Sequence, residues 1–390
     1  MRHALPLLTL LAACSTPQAM PLAAPAEDVA SPPPTAWAAD QGFVVHEWGT
    51  FTAVAGQDGA ALDWRPLSGP SDLPLFVYGP GRPAGRGPVP TKGNPVPIRM
   101  ETPVLYFYSD RPMGVSVKVD FPQGQVTEWY PHANHVNRGI DWGAFQIRPD
   151  KRPTFRHDGR ESHYYPARET AAAPVLKISP ASIELERFLF YRGVADFDLQ
   201  VDAVVEGDAV RAWLAPGPRP ERLLVFERQG DRLGLSHVDI MDDELMLQRP
   251  ELDATLPEVL SEVEALLVDT GLYQDEAHAM VKTWRDDWFT EGLRLIWVLP
   301  PDETDTHLPL RIKPEPDAVV RTLVGRLELM DEGRLGRLNE ILDSAQGDAQ
   351  AVEAVRAEGR FAEPGLTFIA QGQGPRAERA ARLLEMLRQG

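Results

Sequence analysis

The chain has 390 residues, enough for two or three domains, and its content of 43% apolar and 25% charged residues is that of a globular protein. Its net charge of −18 argues against nucleic acid as a partner, because phosphate binding requires clustered lysine and arginine. The 37 prolines argue against an all-helical body, and the single cysteine excludes an intrachain disulfide.

The N-terminus has the composition of an export signal. Arg2 supplies a basic start, residues 5–11 form a short apolar run, and small residues precede Cys14. The run is far shorter than the roughly 20 residues that cross a bilayer. Residues 1–13 are therefore predicted to be a signal peptide.

The string Leu11-Ala-Ala-Cys14 resembles the lipobox of bacterial lipoproteins. The resemblance implies cleavage before Cys14 and attachment of acyl chains, palmitate among them, so that the lipid anchors the protein to a membrane. The alternative is an ordinary signal with a chance cysteine. The expected location is the cell envelope, facing the periplasm or the cell surface, and Ser15 is compatible with sorting to the outer membrane.

Residues 14–41 consist largely of alanine, proline, serine and threonine. Such a segment has too few large apolar side chains to fold alone, so it is predicted to be a disordered tether. It would carry the lipid at its first residue and the folded body at its other end.

Residues 42–254 are predicted to form a β-sandwich-like domain. Val115, Val117 and Val119 alternate with polar residues, which is the period of a strand with one buried face. Glycine and proline separate further short runs of β-branched and aromatic residues. Many short strands without intervening helices favour two packed sheets, so the fold class is mainly β.

The apolar period changes after residue 254. Ala277, Val281, Trp284 and Trp288 follow helical spacing, and 255–330 is predicted to be an α+β portion packed on the sandwich. Residues 331–390 are predicted to form a helical C-terminal region. Its short helices are expected at 335–342, 349–357, 364–370 and 376–387.

Several strings resemble those of a family of uncharacterised exported bacterial proteins. They are His46-Glu-Trp-Gly-Thr-Phe-Thr52, Arg99-Met-Glu-Thr-Pro-Val-Leu-Tyr-Phe-Tyr108, Thr127-Glu-Trp-Tyr-Pro131, Phe188-Leu-Phe-Tyr-Arg-Gly193 and Thr283-Trp-Arg-Asp-Asp-Trp-Phe289. The resemblance covers about residues 43–330 and implies a shared fold. It implies no reaction and no role for any residue.

Acidic residues in the predicted strands are candidate catalytic groups: Glu47, Glu101 and Glu128. A pair of carboxylates can act as general acid and base. A buried carboxylate must otherwise be paired, so a structural ion network with Arg99 is the competing interpretation. Strand alternation is expected to place Arg99 and Glu101 on one face with Leu105 and Phe107.

Aromatic rings beside polar groups suit stacking on sugars or peptides. The N-terminal half concentrates such residues, and the predicted ligand-binding set is His46, Trp48, Arg99, Trp129, Tyr130, Tyr164, Tyr165 and Arg168. Core packing at the edges of the sheets is the competing interpretation for the rings.

Four histidines are candidate ligands for a divalent metal such as zinc, copper or nickel: His132, His135, His157 and His163. They form neither a His-Glu-x-x-His motif nor a helical pair. Solvated surface histidines are therefore the competing interpretation, and this metal is the only cofactor that the sequence suggests.

These features together predict a membrane-anchored lipoprotein of the cell envelope that binds an envelope polymer, either glycan or peptide. The alternative is a metal- or carboxylate-dependent hydrolase of the envelope. The two differ in what the carboxylates and histidines contact, because a hydrolase needs them to converge in an open cleft.

Overall fold

The computed structural model of the protein describes residues 42–64, 73–79 and 97–389. Over these ranges the fold is β-rich α+β, with strands through most of the chain and helices after residue 255. The predicted fold class is therefore confirmed. The predicted signal peptide, Cys14 and the tether lie outside the described residues.

The described residues contain strands of three to twelve residues and helices of seven to fifteen. The strands are β1 (Val44–Ala55), β2 (Ile98–Tyr108), β3 (Met113–Asp120), β4 (Gly124–Tyr130), β5 (His135–Asn137), β6 (Gly139–Ile147), β7 (Val175–Ile178), β8 (Ile183–Glu186), β9 (Leu189–Ala195), β10 (Val201–Glu206), β11 (Ala209–Leu214), β12 (Arg222–Gln229), β13 (Arg232–Asp239), β14 (Glu244–Gln248), β15 (Gly292–Val298), β16 (Leu310–Lys313) and β17 (Ala318–Leu329). The helices are α1 (Leu256–Asp269), α2 (Gln274–Trp288), α3 (Pro301–His307), α4 (Glu332–Ser344), α5 (Asp348–Ala357), α6 (Ala362–Ala370) and α7 (Pro375–Gln389). Among the described residues, no helix combines the length and the apolar character needed to cross a bilayer.

An eight-stranded sheet lies at the centre of the fold, in the order β13-β12-β15-β17-β1-β2-β9-β4. Its strand β1 pairs in parallel with β17 and antiparallel with β2. All twelve residues of β1 are buried. A buried strand must find partners for each polar side chain it carries, so the polar residues of β1 are where buried chemistry is expected.

A second sheet covers one face of the central sheet. It consists of β16, β3, β6, β7 and β8 in that order, with β5 paired to β6. Val115, Val117 and Val119 of β3 are buried, which confirms the predicted alternation. The rings of Phe107 in β2 and Phe145 in β6 lie 5.3 Å apart between the two sheets. The body is therefore sandwich-like.

Helices cover the other face of the central sheet. Arg326 of β17 donates a hydrogen bond to the carbonyl oxygen of Asp287 in α2 at 2.9 Å. The predicted helical stripe is confirmed, because its four residues are all buried in α2: Ala277, Val281, Trp284 and Trp288. A third, small sheet of β10, β11 and β14 lies beside β1 and β17.

The four helices predicted after residue 331 are confirmed as α4 to α7. Their apolar residues, including Leu338, Leu342, Leu366 and Leu383, form a hydrophobic cluster distinct from the core of the sheets. The strands β15 and β17, which belong to the stretch 255–330, lie inside the central sheet, where β17 pairs with β1 and β15 pairs with β17 and β12.

Candidate functional site

Glu47 is the most enclosed of the three candidate catalytic carboxylates. Its Oε1 accepts a hydrogen bond from the Tyr191 hydroxyl at 2.6 Å, and its Oε2 accepts one from Arg321 Nε at 2.7 Å. Arg321 also pairs with the exposed Asp305 at 2.5 Å. Burial, and then the charge of Glu47, raise the pKa of Tyr191 well above its usual value. Both carboxylate oxygens have fixed partners, as in a structural ion pair.

Glu101 is held by two guanidinium groups. Arg360, between α5 and α6, contacts the two carboxylate oxygens at 2.8 and 3.0 Å, and Arg99 Nε lies 3.2 Å from Oε1. Thr52 donates a hydrogen bond to Oε2 at 2.6 Å. Burial alone would raise the pKa of Glu101, but the charges of Arg360 and Arg99 outweigh it and lower that pKa to about 2. Glu101 is therefore ionised at neutral pH and cannot serve as a general acid.

Glu128 has the same kind of environment. Arg192 Nε lies 3.0 Å from its Oε2, and Thr127 donates a hydrogen bond to the same oxygen. Burial acts to raise the pKa of Glu128, but the charge of Arg192 outweighs burial and lowers it. Each candidate carboxylate thus has its own arginine. The pairs are Glu47–Arg321, Glu101–Arg360 and Glu128–Arg192.

A β-bulge in β2 changes the face on which Glu101 lies. The register of β2 shifts against both of its neighbours, and Thr102 has a φ of 47°. One extra residue reverses the alternation, so Glu101 faces Arg360 on the helical side while Phe107 faces the second sheet. The expectation that Glu101 shares a face with Phe107 is wrong for this reason.

His46 and Trp48, two of the predicted ligand-binding residues, lie in the interior. His46 Nδ1 is 2.7 Å from Glu276 Oε2, and only 2% of this histidine is exposed. The Tyr108 hydroxyl donates a hydrogen bond to the other oxygen of Glu276 at 2.8 Å. Trp48 is fully buried. Because Glu276 lies in the first turn of α2, its contacts fasten this helix to β1 and β2.

The four candidate metal ligands lie in different surroundings. His157 stacks on Tyr165 with the ring centroids 4.0 Å apart, and His163 stacks on Trp284 at 5.2 Å. His132 is edge-on to the ring of Tyr78, and His135 is exposed in β5. In the three described ranges, no group of three or more His, Cys, Asp or Glu side chains is arranged to hold a metal ion.

Four residues at the surface lie around the buried ring of Phe76, and together with it they are called here the arginine–aromatic surface: Phe155, Arg156, Tyr165 and Arg168. The Arg168 guanidinium lies 4.9 Å from the ring centre of Tyr165, 5.4 Å from that of Phe155 and 5.7 Å from that of Phe76. Arg156 lies 5.3 Å from the ring centre of Phe76. These distances are those of cation–π contacts, so the cations hold the rings in place.

The remaining predicted aromatic residues support this surface from below. The rings of Tyr130 and Tyr164 lie 4.9 and 5.8 Å from that of Phe76, and both tyrosines are buried. Trp129 is also buried and stacks on Tyr78 at 5.8 Å. The competing interpretation of core packing therefore fits Trp129, Tyr130 and Tyr164 by their burial.

Arg168 is fixed by a carboxylate as well as by rings. Its Nε and Nη2 contact the two oxygens of Glu186 at 2.9 and 2.6 Å. Burial acts to lower the pKa of Arg168, but the hydrogen bonds and charge of Glu186 outweigh it and raise that pKa. This guanidinium is therefore always charged, and two of its nitrogens, Nε and Nη2, are already paired with the carboxylate of Glu186.

The loop 151–160 gives the surface a positive charge on an acidic protein. Its charged residues are Lys151, Arg152, Arg156, Asp158 and Arg160. The single acid, Asp158, accepts hydrogen bonds from the backbone nitrogen of Leu75 and from the Tyr165 hydroxyl. Arg156 and Arg160 are exposed and form no salt bridge within the described part of the chain. Both are available to an anionic ligand.

Sequence reasoning missed three residues of this surface, Phe76, Phe155 and Arg156. The clustering of four cations within ten residues of a chain with net charge −18 was the available signal for Arg156. No local sequence signal pointed to Phe76, because Arg156 and Arg168, the cations over its ring, lie about 80 to 90 residues away in the sequence.

A second buried charge cluster was also missed. Glu328 of β17 is fully buried. Its Oε1 lies 2.8 Å from Arg294 Nε and 2.5 Å from Arg326 Nη2, and its Oε2 lies 3.4 Å from Arg334 Nη2. Burial lowers the pKa of Arg294 to about 9, although the charge of Glu328 acts in the opposite direction. The pattern Arg326-x-Glu328 predicts only that two of these side chains share a face of the strand.

No model of a protein family matches the chain, and no curated protein matches it. The resemblance of its strings to exported bacterial proteins therefore stays a prediction, and a function must be argued from the residues themselves.

Proposed function

We propose that this protein is a lipid-anchored binding module of the cell envelope, and that it binds an anionic envelope polymer through the arginine–aromatic surface. The observation that carries the proposal is a loop with two exposed arginines, Arg156 and Arg160, which also contains the half-buried ring of Phe155. Arg168 lies over that ring and over the half-buried ring of Tyr165. Rings take the apolar faces of sugars or peptide side chains, and guanidinium groups take carboxylates or phosphates.

The anchor is argued from the sequence. The Leu11-Ala-Ala-Cys14 string supports lipid attachment at Cys14. None of the described helices is long and apolar enough to cross a membrane. We expect mass spectrometry of protein from cell membranes to find an N-terminal, acylated Cys14, and we expect Cys14→Ser to leave the membrane fraction. A bare Cys14, or a leader that is still attached, would remove this part of the proposal.

The competing hydrolase is less well supported by the geometry. A general acid needs a pKa near or above the working pH, whereas arginine partners lower the pKa of Glu101 to about 2 and also lower that of Glu128. The observed pairs lie inside the protein, so water and polymer have poor access to them. These three carboxylates fit structural ion pairs better than acid–base catalysis.

Binding is tested with Arg156→Ala against the matched control Arg138→Ala. Both change the charge equally, and Arg138 is exposed outside the arginine–aromatic surface. The probe is a soluble disaccharide–peptide with free carboxylates, titrated calorimetrically at low salt. We expect Arg156→Ala to weaken binding by at least about tenfold, because a charge-assisted contact is lost, and Arg138→Ala to have little effect.

Two results would contradict this assignment. One is the absence of binding by the wild-type protein at millimolar probe. The other is an equal loss in both variants, which would mean that overall charge, and not this surface, attracts the probe.

A further inference from the structure

A groove of about 540 Å³ lies among the C-terminal helices, and none of its lining residues belongs to the arginine–aromatic surface or to the buried ion pairs. Its walls come from α4, from the end of α6 and from the turn that follows β1. A Cβ added to Gly56 in that turn would lie 3.2 Å from the ring of Phe368, so the turn packs closely on α6. The volume is within the range of small-molecule sites.

Gly336 lines this groove from the interior of α4. Glycine inside a helix is less favourable than alanine, because it gives the unfolded chain more freedom. A Cβ at this position would meet no atom within 4 Å, so packing inside the protein does not require glycine. What the missing side chain does provide is an open groove.

The polar residues of the groove are mainly carboxamides. Gln57 and Gln371 are exposed and Asn339 is half-buried, and none of the three makes a side-chain hydrogen bond to the described part of the chain. Each carboxamide can both donate and accept a hydrogen bond. Glu332 is the charged residue among the described groove residues, and it disfavours an anionic occupant.

Apolar residues line the rest of the groove. Leu335 is buried, and Phe368 and Ile369 are half-buried. A ring beside groups that both donate and accept suits a sugar, whose hydroxyl groups do the same and whose C–H face is apolar. An acetamido group fits as well, because its amide pairs with carboxamides and its methyl group packs on leucine or isoleucine.

We propose that this groove is a second binding site, which takes a short neutral saccharide carrying acetamido groups. It shares no residue with the arginine–aromatic surface and selects the opposite ligand chemistry, uncharged in place of anionic. The bare helix face at Gly336 admits the sugar ring, and the carboxamides of Gln57, Asn339 and Gln371 fix its orientation.

The test titrates N,N′-diacetylchitobiose into the full chain and into two leucine variants of the same helix. Gly336→Leu fills the groove. Gly333→Leu is the matched control, because Gly333 is exposed and does not line the groove. We expect Gly336→Leu to weaken binding by at least about tenfold while Gly333→Leu binds like the wild type. Thermal unfolding checks that both variants are folded.

A second variant, Asn339→Ala, covers the case in which Gly336→Leu fails to fold, and it is expected to weaken the same titration. Three outcomes of the chitobiose titration would overturn the proposal. They are no binding of chitobiose by the wild type at millimolar concentration, undiminished binding by the folded Gly336→Leu, or loss of binding in Arg156→Ala. Groove-dependent binding of a lysine-rich peptide in place of chitobiose would also overturn the saccharide assignment.

Discussion

Glu47 and Glu328 are both fully buried carboxylates of the central sheet, but they differ in the charge around them. Glu47 faces the second sheet and meets one arginine, Arg321, together with the neutral hydroxyl of Tyr191. Glu328 lies on the helical side, where three arginines contact it. One cluster is balanced, and the other buries more positive than negative charge among its contacting residues.

The difference indicates what each cluster holds together. Arg321 and Tyr191 belong to strands of the same sheet as Glu47, so this pair ties strands to one another. Arg334 belongs to α4, so Glu328 ties the C-terminal helices to the sheet. A buried carboxylate that serves several cations is harder to replace, because its loss leaves each cation without a counter-charge.

The largest expected effect is therefore that of Glu328→Gln. It leaves Arg294, Arg326 and Arg334 buried without their carboxylate, and we expect a loss of about 3–5 kcal/mol in the free energy of unfolding. Urea unfolding followed by circular dichroism measures it. Glu332→Gln, at an exposed position in α4, is the control. A loss below about 1 kcal/mol would mean that the excess arginines do not depend on Glu328.

The next effect is the dependence of stability on pH through Glu101. The folded pKa of Glu101, about 2, lies below the usual glutamate value of 4.5, so its contribution to stability is complete above pH 4.5 and is lost as the pH falls toward 2. A shift of this size corresponds to about 3 kcal/mol. Unfolding of the wild type and of Glu101→Gln between pH 7 and pH 2 measures it, and equal slopes would contradict the prediction.

A smaller loss is expected for Glu47→Gln. The glutamine oxygen can still accept the Tyr191 hydrogen bond, and Arg321 retains Asp305, so about 2–3 kcal/mol should be lost with the charged contact. Asp305→Asn is the control, because the Asp305 side chain is 64% exposed. If Glu47→Gln lowers the free energy of unfolding as much as Glu328→Gln does, the number of arginines around a buried carboxylate does not decide how much its loss destabilises the protein.

The smallest effect on stability is expected for Arg156→Ala in the arginine–aromatic surface. An exposed cation over a ring contributes below about 1 kcal/mol, so its melting temperature should stay near that of the wild type. Differential scanning calorimetry checks this value. A large decrease in the melting temperature would mean that Arg156 stabilises the fold, as the buried arginines do.

Local sequence patterns predicted the secondary structure well. The valines of β3 alternate with polar residues and are buried, and the stripe of α2 is buried, because each pattern depends only on near neighbours. The ion pairs could not be predicted in this way. Arg321 is 274 residues from Glu47, and Arg360 is 259 residues from Glu101.

The candidate site was predicted in part. Tyr165 and Arg168 lie on the arginine–aromatic surface, whereas His46 and Trp48 are interior residues of a strand covered on both faces. The second layer over β1 is formed by α2, which lies more than 200 residues later in the chain. Reading β1 alone could not reveal that its second face is covered as well.

The parallel pairing of β1 with β17 also has a consequence for biosynthesis. Val44 pairs with Ala318, so the middle of the sheet cannot close until 274 further residues have left the ribosome. At 5–20 residues per second this takes roughly 15–55 s. Throughout that interval a strand of twelve residues, all of them buried in the finished fold, lacks one of its neighbours. The nascent chain then exposes an unpaired strand edge, which is a site for chaperone binding.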